Sequence, residues 1–238
     1  MKTGLIGNGY WGSIVQKKLE ALSDLKFVAN SKTDLSSVIN SVDTVFVCSP
    51  TSTHYDIVMF CLRNNKNVFC EKPFTGSYNK AKELFEIAKD KGLNICVDHV
   101  FLYRDEYKQI SDGNIIKFLW HKPEVINQNI VDSLLYHDLY MLINFTNCTE
   151  WNVKSKSISN EKLYLNLVSN NKNVEIEYDR NCTYKRKQVI VDGNVIDFSL
   201  PANDALYSII EEMLNEKIDY ISNNDTCLKT LYLKERII

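Results

Sequence analysis

The feature that most constrains this chain is its first dozen residues. A short apolar run ending at Leu5-Ile6 leads into Gly7-Asn8-Gly9-Tyr10-Trp11-Gly12, which places three glycines in G-x-G-x-x-G spacing. A helical pattern follows, with Trp11, Ile14, Val15, Leu19 and Leu22 on one face. Strand, glycine turn and helix in this order are the context in which the motif cradles a dinucleotide. Gly7 makes the tight turn, Gly9 lets the backbone approach a pyrophosphate, and Gly12 lets the helix pack close to the strand. The helix N-terminus adds N–H groups and the positive end of its dipole. Three glycines at such a turn can also be purely structural, so the rest of the chain has to decide.

Strand-like and helix-like segments alternate up to residue 103. Short apolar runs fall at Lys26–Ala29, Val42–Cys48, Asn67–Cys70 and Leu93–Val97, and amphipathic stretches lie between them. Repeated βα units predict a parallel sheet with ligands at the C-terminal strand ends. The polar residues gather at those ends: Asn30-Ser31-Lys32-Thr33, then Ser49-Pro50-Thr51-Ser52-Thr53-His54, then Glu71-Lys72-Pro73, then Asp98-His99. Four polar strand ends facing one crevice predict a cofactor site. At the end of the second strand an acid would bind the ribose hydroxyls of NAD and repel the extra phosphate of NADP. Ser31 and Lys32 occupy that slot, and the first acid is Asp34, in the next helix. Serine and lysine suit a phosphate, so NADP(H) is expected over NAD.

Composition narrows the alternatives. The 238 residues carry a formal charge of −2 and no long basic run, which argues against nucleic acid or an anionic membrane as the main partner. No apolar stretch approaches the ~20 residues needed to span a bilayer, and the N-terminus enters a strand without a signal-type leader. Seven widely spaced cysteines with no C-x-x-C pair argue against a zinc site and fit a reduced, cytoplasmic protein.

Four stretches resemble one family: Gly4 to Gly12, Ser49 to His54, Glu71-Lys72-Pro73, and Val97-Asp98-His99-Val100-Phe101-Leu102-Tyr103. Together they are similar to the glucose–fructose oxidoreductase/inositol dehydrogenase (Gfo/Idh/MocA) family, densely over residues 1–103 and thinly afterwards. The last stretch looks most like the sugar and sugar-nucleotide branch. The resemblance implies an α/β architecture. Residues 1–103 would form a Rossmann dinucleotide-binding domain. Residues 104–238 would form a small α+β domain with a mostly antiparallel, open-faced sheet, used in relatives to form a dimer or tetramer. It also implies that Gly7, Asn8, Gly9, Tyr10, Trp11, Ser49, Pro50, Thr51 and His54 contact the cofactor, with Pro50 and His54 by its nicotinamide half. Glu71 would hold a ribose, and Lys72, before a cis proline, would sit by the reacting carbon. On residue chemistry alone, a lysine at a strand end in a crevice is a candidate proton donor; without Glu71 and Pro73 around it, Lys72 would read as an ordinary surface lysine.

After residue 103 the pattern becomes α+β. Arg104–Ser111 is expected to continue as a helix, Asn114–Trp120 as a strand, and residues 129–142 as a helix. Leu163, Leu165 and Leu167 alternate, as do Val174, Ile176 and Tyr178, and Asp192-Gly193 reads as a two-residue hairpin turn. The family's helix here carries an aspartate, then a histidine four residues on. His137-Asp138-Leu139 matches, but the aspartate slot holds Ser133, with Asp132 about 100° round the helix. Lys72 and His137 remain as the proton-moving pair, since an ordinary histidine titrates near neutrality. The stretch between Tyr103 and His137 is shorter than in sugar-branch relatives.

The expected function is an oxidoreductase passing hydride between nicotinamide and a ring carbon of a sugar or sugar nucleotide, with a small-molecule substrate. Two alternatives stay open. One is reduction of a linear tetrapyrrole, as in the similarly folded biliverdin reductase. The other is an NADP-binding regulator without catalysis, which the serine at 133 favours.

Overall fold

The computed structural model describes all residues except 124–128, 147, 149, 201 and 202. The described chain divides into two units. The first comprises Met1–Val100 and Ala205–Leu231, and the second Phe101–Asp204 and Tyr232–Ile238.

The first unit is a five-stranded, wholly parallel sheet. Its strands are β1 (Lys2–Ile6), β2 (Asp24–Ala29), β3 (Thr44–Val47), β4 (Asn67–Cys70) and β5 (Ile95–Val97), in the order β2-β1-β3-β4-β5. Every residue of β3 and β5 is buried, as strands covered by helices on both faces require. Phe46 and Phe69 stack at 5.0 Å between neighbouring strands. The crossovers are α1 (Tyr10–Leu22), the short α2 (Leu35–Val38), α3 (Thr51–Arg63) and α4 (Tyr78–Asp90). The inner face of α1 is Gly12, Val15 and Leu19. Trp11, grouped with the apolar face in the sequence, instead stands 45% exposed at the helix start.

Two C-terminal helices complete this unit: α6 (Ala205–Leu214), which packs on α1, and the first part of α7 (Tyr220–Ile237). The sequence division at 103/104 groups them with the second domain. They return because α6 presents a buried stripe, Ala205, Leu206, Ile209, Ile210 and Met213, to this unit. Asn223 also hydrogen-bonds both backbone groups of Val97 in β5, at 2.8 and 3.0 Å.

The second unit is a six-stranded sheet built from β6 (Ile115–His121), β7 (Asn152–Ile158), β8 (Lys162–Ser169), β9 (Lys172–Asp179), β10 (Arg186–Val191) and β11 (Asn194–Asp197). Its order is β11-β10-β6-β9-β8-β7, antiparallel except for the β6–β9 pair. One face is core: Val189, Phe118, Ile176 and Leu165 lie in register across four strands, all nearly fully buried. At roughly 1.5–3 kcal/mol per buried side chain, such rows hold the sheet together. Asp192 and Gly193 have φ of +47° and +88°, the type I′ geometry of a two-residue hairpin.

Two expectations change here. Arg104–Ser111 is not an α-helix: it holds one short 3-10 turn, Tyr107–Gln109, and follows another, Val100–Tyr103. Arg104 reaches Glu106 with two hydrogen bonds, at 3.1 and 2.8 Å, and the Leu200 carbonyl with a third. Residues two apart do not face each other on an α-helix, so this fork fits the bend at 104–106 between the two 3-10 turns. The helix foreseen at 129–142 begins with a π turn, Val131–Leu135, and continues as α5 (Tyr136–Thr146). It is buried on nearly every side, so His137 and Asp138 are as enclosed as the leucines.

Candidate functional site

The C-terminal ends of β1 to β5 carry the site. Gly7 has φ +101°, and a side chain there would lie 2.6 Å from the Cys48 carbonyl; only glycine lets β1 turn this close to β3. A Cβ on Gly12 would stand 1.9 Å from the Gly7 carbonyl oxygen, so α1 can start here only with glycine at 12. Gly9 is different, since a Cβ there would meet nothing within 4 Å. No side chain caps α1 and its first turn holds no acid, while Asn8 and Tyr10 are exposed. An uncapped helix start beside open space fits the pyrophosphate of a dinucleotide.

After β2, residues Asn30–Thr33 form a turn held by Asn30 Oδ1, which accepts from Lys32 N–H at 2.9 Å, and by Thr33 Oγ1, which accepts from Asn30 N–H. Ser31 and Lys32 are exposed. Asp34, the nearest acid, is occupied as the cap of α2, accepting from Ser36 N–H at 3.0 Å.

After β3, Pro50 begins α3. Thr53 is not its cap: the Thr53 hydroxyl donates to the Pro50 carbonyl and accepts from Ser49 Oγ, both at 2.8 Å. Thr51 lies half-buried in the first turn. His54 is 1% exposed, with Nε2 2.7 Å from the Ser49 carbonyl and Nδ1 3.0 Å from that of Pro73. Its imidazole therefore ties the β3 loop to the β4 loop, and burial lowers its pKa against the pull of those carbonyls.

After β4 come Glu71, Lys72 and Pro73, joined by a cis Lys72–Pro73 bond. Lys72 is half-buried, and its N–H donates to Glu71 Oε2 at 3.2 Å. Asp98, at the end of β5, is hydrogen-bonded to Glu71. Burial pushes both carboxyls up, Asp98 to about 6 and Glu71 well above its usual range. His99 is fully buried, and desolvation takes it down to about 3. Sequence reasoning quoted Asp98 within a motif but gave it no role. It also missed Asn223, whose contact with β5 spans 126 residues of chain.

His137 lies in the second unit, and Lys72 in the first. The His137 ring meets Phe101 edge-on at 4.5 Å, and Nδ1 lies 3.0 Å from Tyr140 Oη. Tyr140 Oη also accepts from the Phe101 N–H at 3.0 Å, so this phenol links the His137 ring to the backbone at Phe101. The next residue, Asp138, accepts from Tyr178 Oη at 2.7 Å and lies 3.8 Å from Lys187 Nζ. That ammonium sits 3.2 and 3.6 Å from the ring centroids of Trp120 and Phe101. Ser133, in the family's aspartate slot, donates to the Asn129 carbonyl and accepts from Arg180, both at 2.8 Å. Asp132 does not replace the missing carboxylate, because it pairs with Lys234. No disulfide joins the described cysteines, and no described helix is long and apolar enough to cross a membrane.

Residues 11–99 match the family model described as an oxidoreductase family with an NAD-binding Rossmann fold. An uncharacterised oxidoreductase of Streptococcus pneumoniae is 25% identical over 155 residues, covering 57% of this chain and 39% of that protein. The UDP-N-acetylglucosamine 3-dehydrogenase of Acidithiobacillus ferrooxidans is 22% identical over 183 residues, covering 67% of this chain and 58% of the relative. These alignments thus span about two-fifths and under two-thirds of the curated relatives' lengths. The solved structure of the Acidithiobacillus enzyme superimposes with a TM-score of 0.86 at 16% identity, over 100% of this chain and 96% of that one, which shows a shared fold. A Rossmann unit with this glycine turn, followed by a mostly antiparallel sheet, is a fold shared with the Acidithiobacillus structure, and residues 11–99 carry the match to the oxidoreductase family with an NAD-binding Rossmann fold (Gfo/Idh/MocA).

Proposed function

We propose that this protein is an NADP-dependent oxidoreductase that moves a hydride between nicotinamide and a ring carbon of a sugar or sugar nucleotide. The observation that carries the reading is Lys72, at the end of β4 in the same row of strand ends as the open helix start at Gly9. The nicotinamide, when bound, supplies or accepts the hydride. The chain's own residues do the rest. The N–H groups at the start of α1 bind the pyrophosphate, flanked by Asn8, Tyr10 and Trp11. Ser31 and Lys32 take the 2′-phosphate, since Asp34 is committed to α2. Ser49, Pro50, Thr51, His54 and Glu71 shape the nicotinamide end, His54 by fixing the two loops to each other. In the reducing direction Lys72 hydrogen-bonds the substrate oxygen and gives its proton as the alkoxide forms, the N–H bond breaking as the O–H bond is made. His137 is the second donor.

The sugar class is supported by the Asp98-His99-Val100-Phe101-Leu102-Tyr103 run and by the names of the relatives. We also propose that a second copy pairs through the exposed face of the second sheet, where Ile115 and Tyr164 stand in solvent, and that the protein works in the cytoplasm. The test of the central claim is fluorescence titration with NADPH and NADH, followed by turnover of UDP-sugars by the wild type, Lys72→Ala and His137→Ala. Tight NADPH binding, with turnover lost in both variants, supports the reading; turnover untouched by both ends it. One observation favours a second reading, a cofactor-binding regulator: Ser133 puts no carboxylate beside His137. Tight NADPH binding without turnover on any sugar nucleotide would select it.

A further inference from the structure

Glu71 and Asp98 form an arrangement that this mechanism does not yet use. The β4–β5 register sets Cys70 beside Val97, so the next residue of each strand lies side by side with the other. The Asp98 N–H donates to the Cys70 carbonyl, and the Glu71 N–H to that of Val47, each at 2.9 Å. Both residues are buried, 5% and 3% exposed, and their carboxyls share a hydrogen bond. The outer oxygens, Glu71 Oε1 and Asp98 Oδ1, are buried with no hydrogen-bond partner. The cation acting on both is Lys72. Among the described residues, the thiols of Cys48, Cys70 and Cys96 lie around them, held protonated by burial, and His99, next to Asp98, is held neutral by burial.

Two carboxylates in contact cannot both ionise at modest cost, and buried oxygens without donors make the second charge costlier still. Loss of both charges would leave Lys72 without its counter-ion. A single proton between the two gives a total charge of −1, which matches one ammonium. We propose that Glu71 and Asp98 hold one proton between them and act as positioning residues that keep Lys72 an ammonium group, ready to protonate the substrate oxygen. The inference rests on the role given to Lys72 above. The directions of titration agree: burial raises both carboxyls, and the bond between them raises Glu71 while lowering Asp98.

The arrangement predicts a non-additive pattern. Glu71→Gln keeps a neutral donor beside the Asp98 carboxylate. Asp98→Asn lets Glu71 ionise with an amide as its donor. Each single variant therefore keeps the charge of −1, and only the double variant loses it. The test uses the full chain without cofactor or substrate. Acetylation of Lys72 by acetic anhydride, read by mass spectrometry, should stay within about twofold of wild type in each single variant. In the double variant it should rise about tenfold, the effect of removing one adjacent opposite charge. Equal acceleration in the singles and the double, or none in the double, overturns the proposal. Infrared spectra give a second readout should the double variant not fold. The wild type should show a protonated-carboxyl band at neutral pH that both singles lose, and its absence from the wild type also overturns the proposal. Failure of the NADPH titration would strike the reading above and leave this result intact.

Discussion

Each unit buries an aspartate, and the two are held by opposite means. Asp138 sits in the second unit against a phenol and a lysine, itself lodged between Trp120 and Phe101. Burial still raises its carboxyl, but Lys187 and Tyr178 pull it back. Asp98 sits in the first unit against another acid. The first arrangement supplies a donor to Asp138 Oδ2 and a counter-charge 3.8 Å from Oδ1, an oxygen that itself has no hydrogen-bond partner among the described residues; its charge is matched by residues fixed in a core. The second leaves a proton shared and two oxygens without donors, and its nearby cation is Lys72, the proposed proton donor. A core that only has to fold uses the first device, whereas a group meant to answer a neighbour's change of charge needs the second.

The contrast can be broken most forcefully from the matched side. Lys187→Met keeps the aromatic packing but strips Asp138 of its cation. It should cost about 3–5 kcal/mol, the usual penalty for a buried charge losing its partner, read as a lowered urea midpoint. Tyr178→Phe removes a single donor from the same carboxyl and should cost about 1–3 kcal/mol by the same measurement.

The unmatched side should show itself in pH rather than in a large loss. The Asp98 pKa is raised from 3.8 unfolded to about 6 folded. In that window the folded state holds the proton more tightly, so this group's contribution weakens stability as pH climbs from about 4 to about 6. His99, lowered to about 3, and His54, also lowered, act in the opposite sense over an overlapping range. They are common to wild type and variant, so the difference reports the Glu71–Asp98 pair. Asp98→Asn should gain stability relative to wild type between pH 4.5 and 6.5, by paired urea titrations. A constant difference across that range would put Asp98 in the same class as Asp138. The smallest effect on folding belongs to a charge that is neither matched nor buried. Lys32→Ala should leave stability within ~0.5 kcal/mol while weakening NADPH, and not NADH, by about tenfold in titration.

The sequence exposes these two regions unequally. The parallel sheet is legible in Val45-Phe46-Val47 and in the glycine turn, because period and spacing are local properties. The Asp192-Gly193 hairpin is legible for the same reason. The Glu71–Asp98 pair is not: 27 residues separate the two, and only the β4–β5 register makes them neighbours. The grip of Asn223 on Val97 and the return of α6 depend on packing that no local pattern encodes. Arg104–Ser111 reads as helical until Arg104 bonds Glu106 two residues on, a choice made by one side chain against the propensity of the segment. His54 was legible as a residue of the site row, but its place between two backbone loops was not.

The return of the C-terminal helices sets an order of events during synthesis. The first hundred residues leave the ribosome carrying all five strands of the nucleotide unit, yet α6 and Asn223 are more than a hundred residues behind them. The whole second sheet is made in between. Until residue 223 emerges, the Val97 backbone groups at the rim of the site have no partner from α7, and the inner row of α6 does not yet exist to pack on α1. A nascent chain stalled after β11 should therefore be cut by protease within residues 1–100, whereas one released after α7 should resist. The unit whose strands are made first is finished last, once α7 has followed the second sheet.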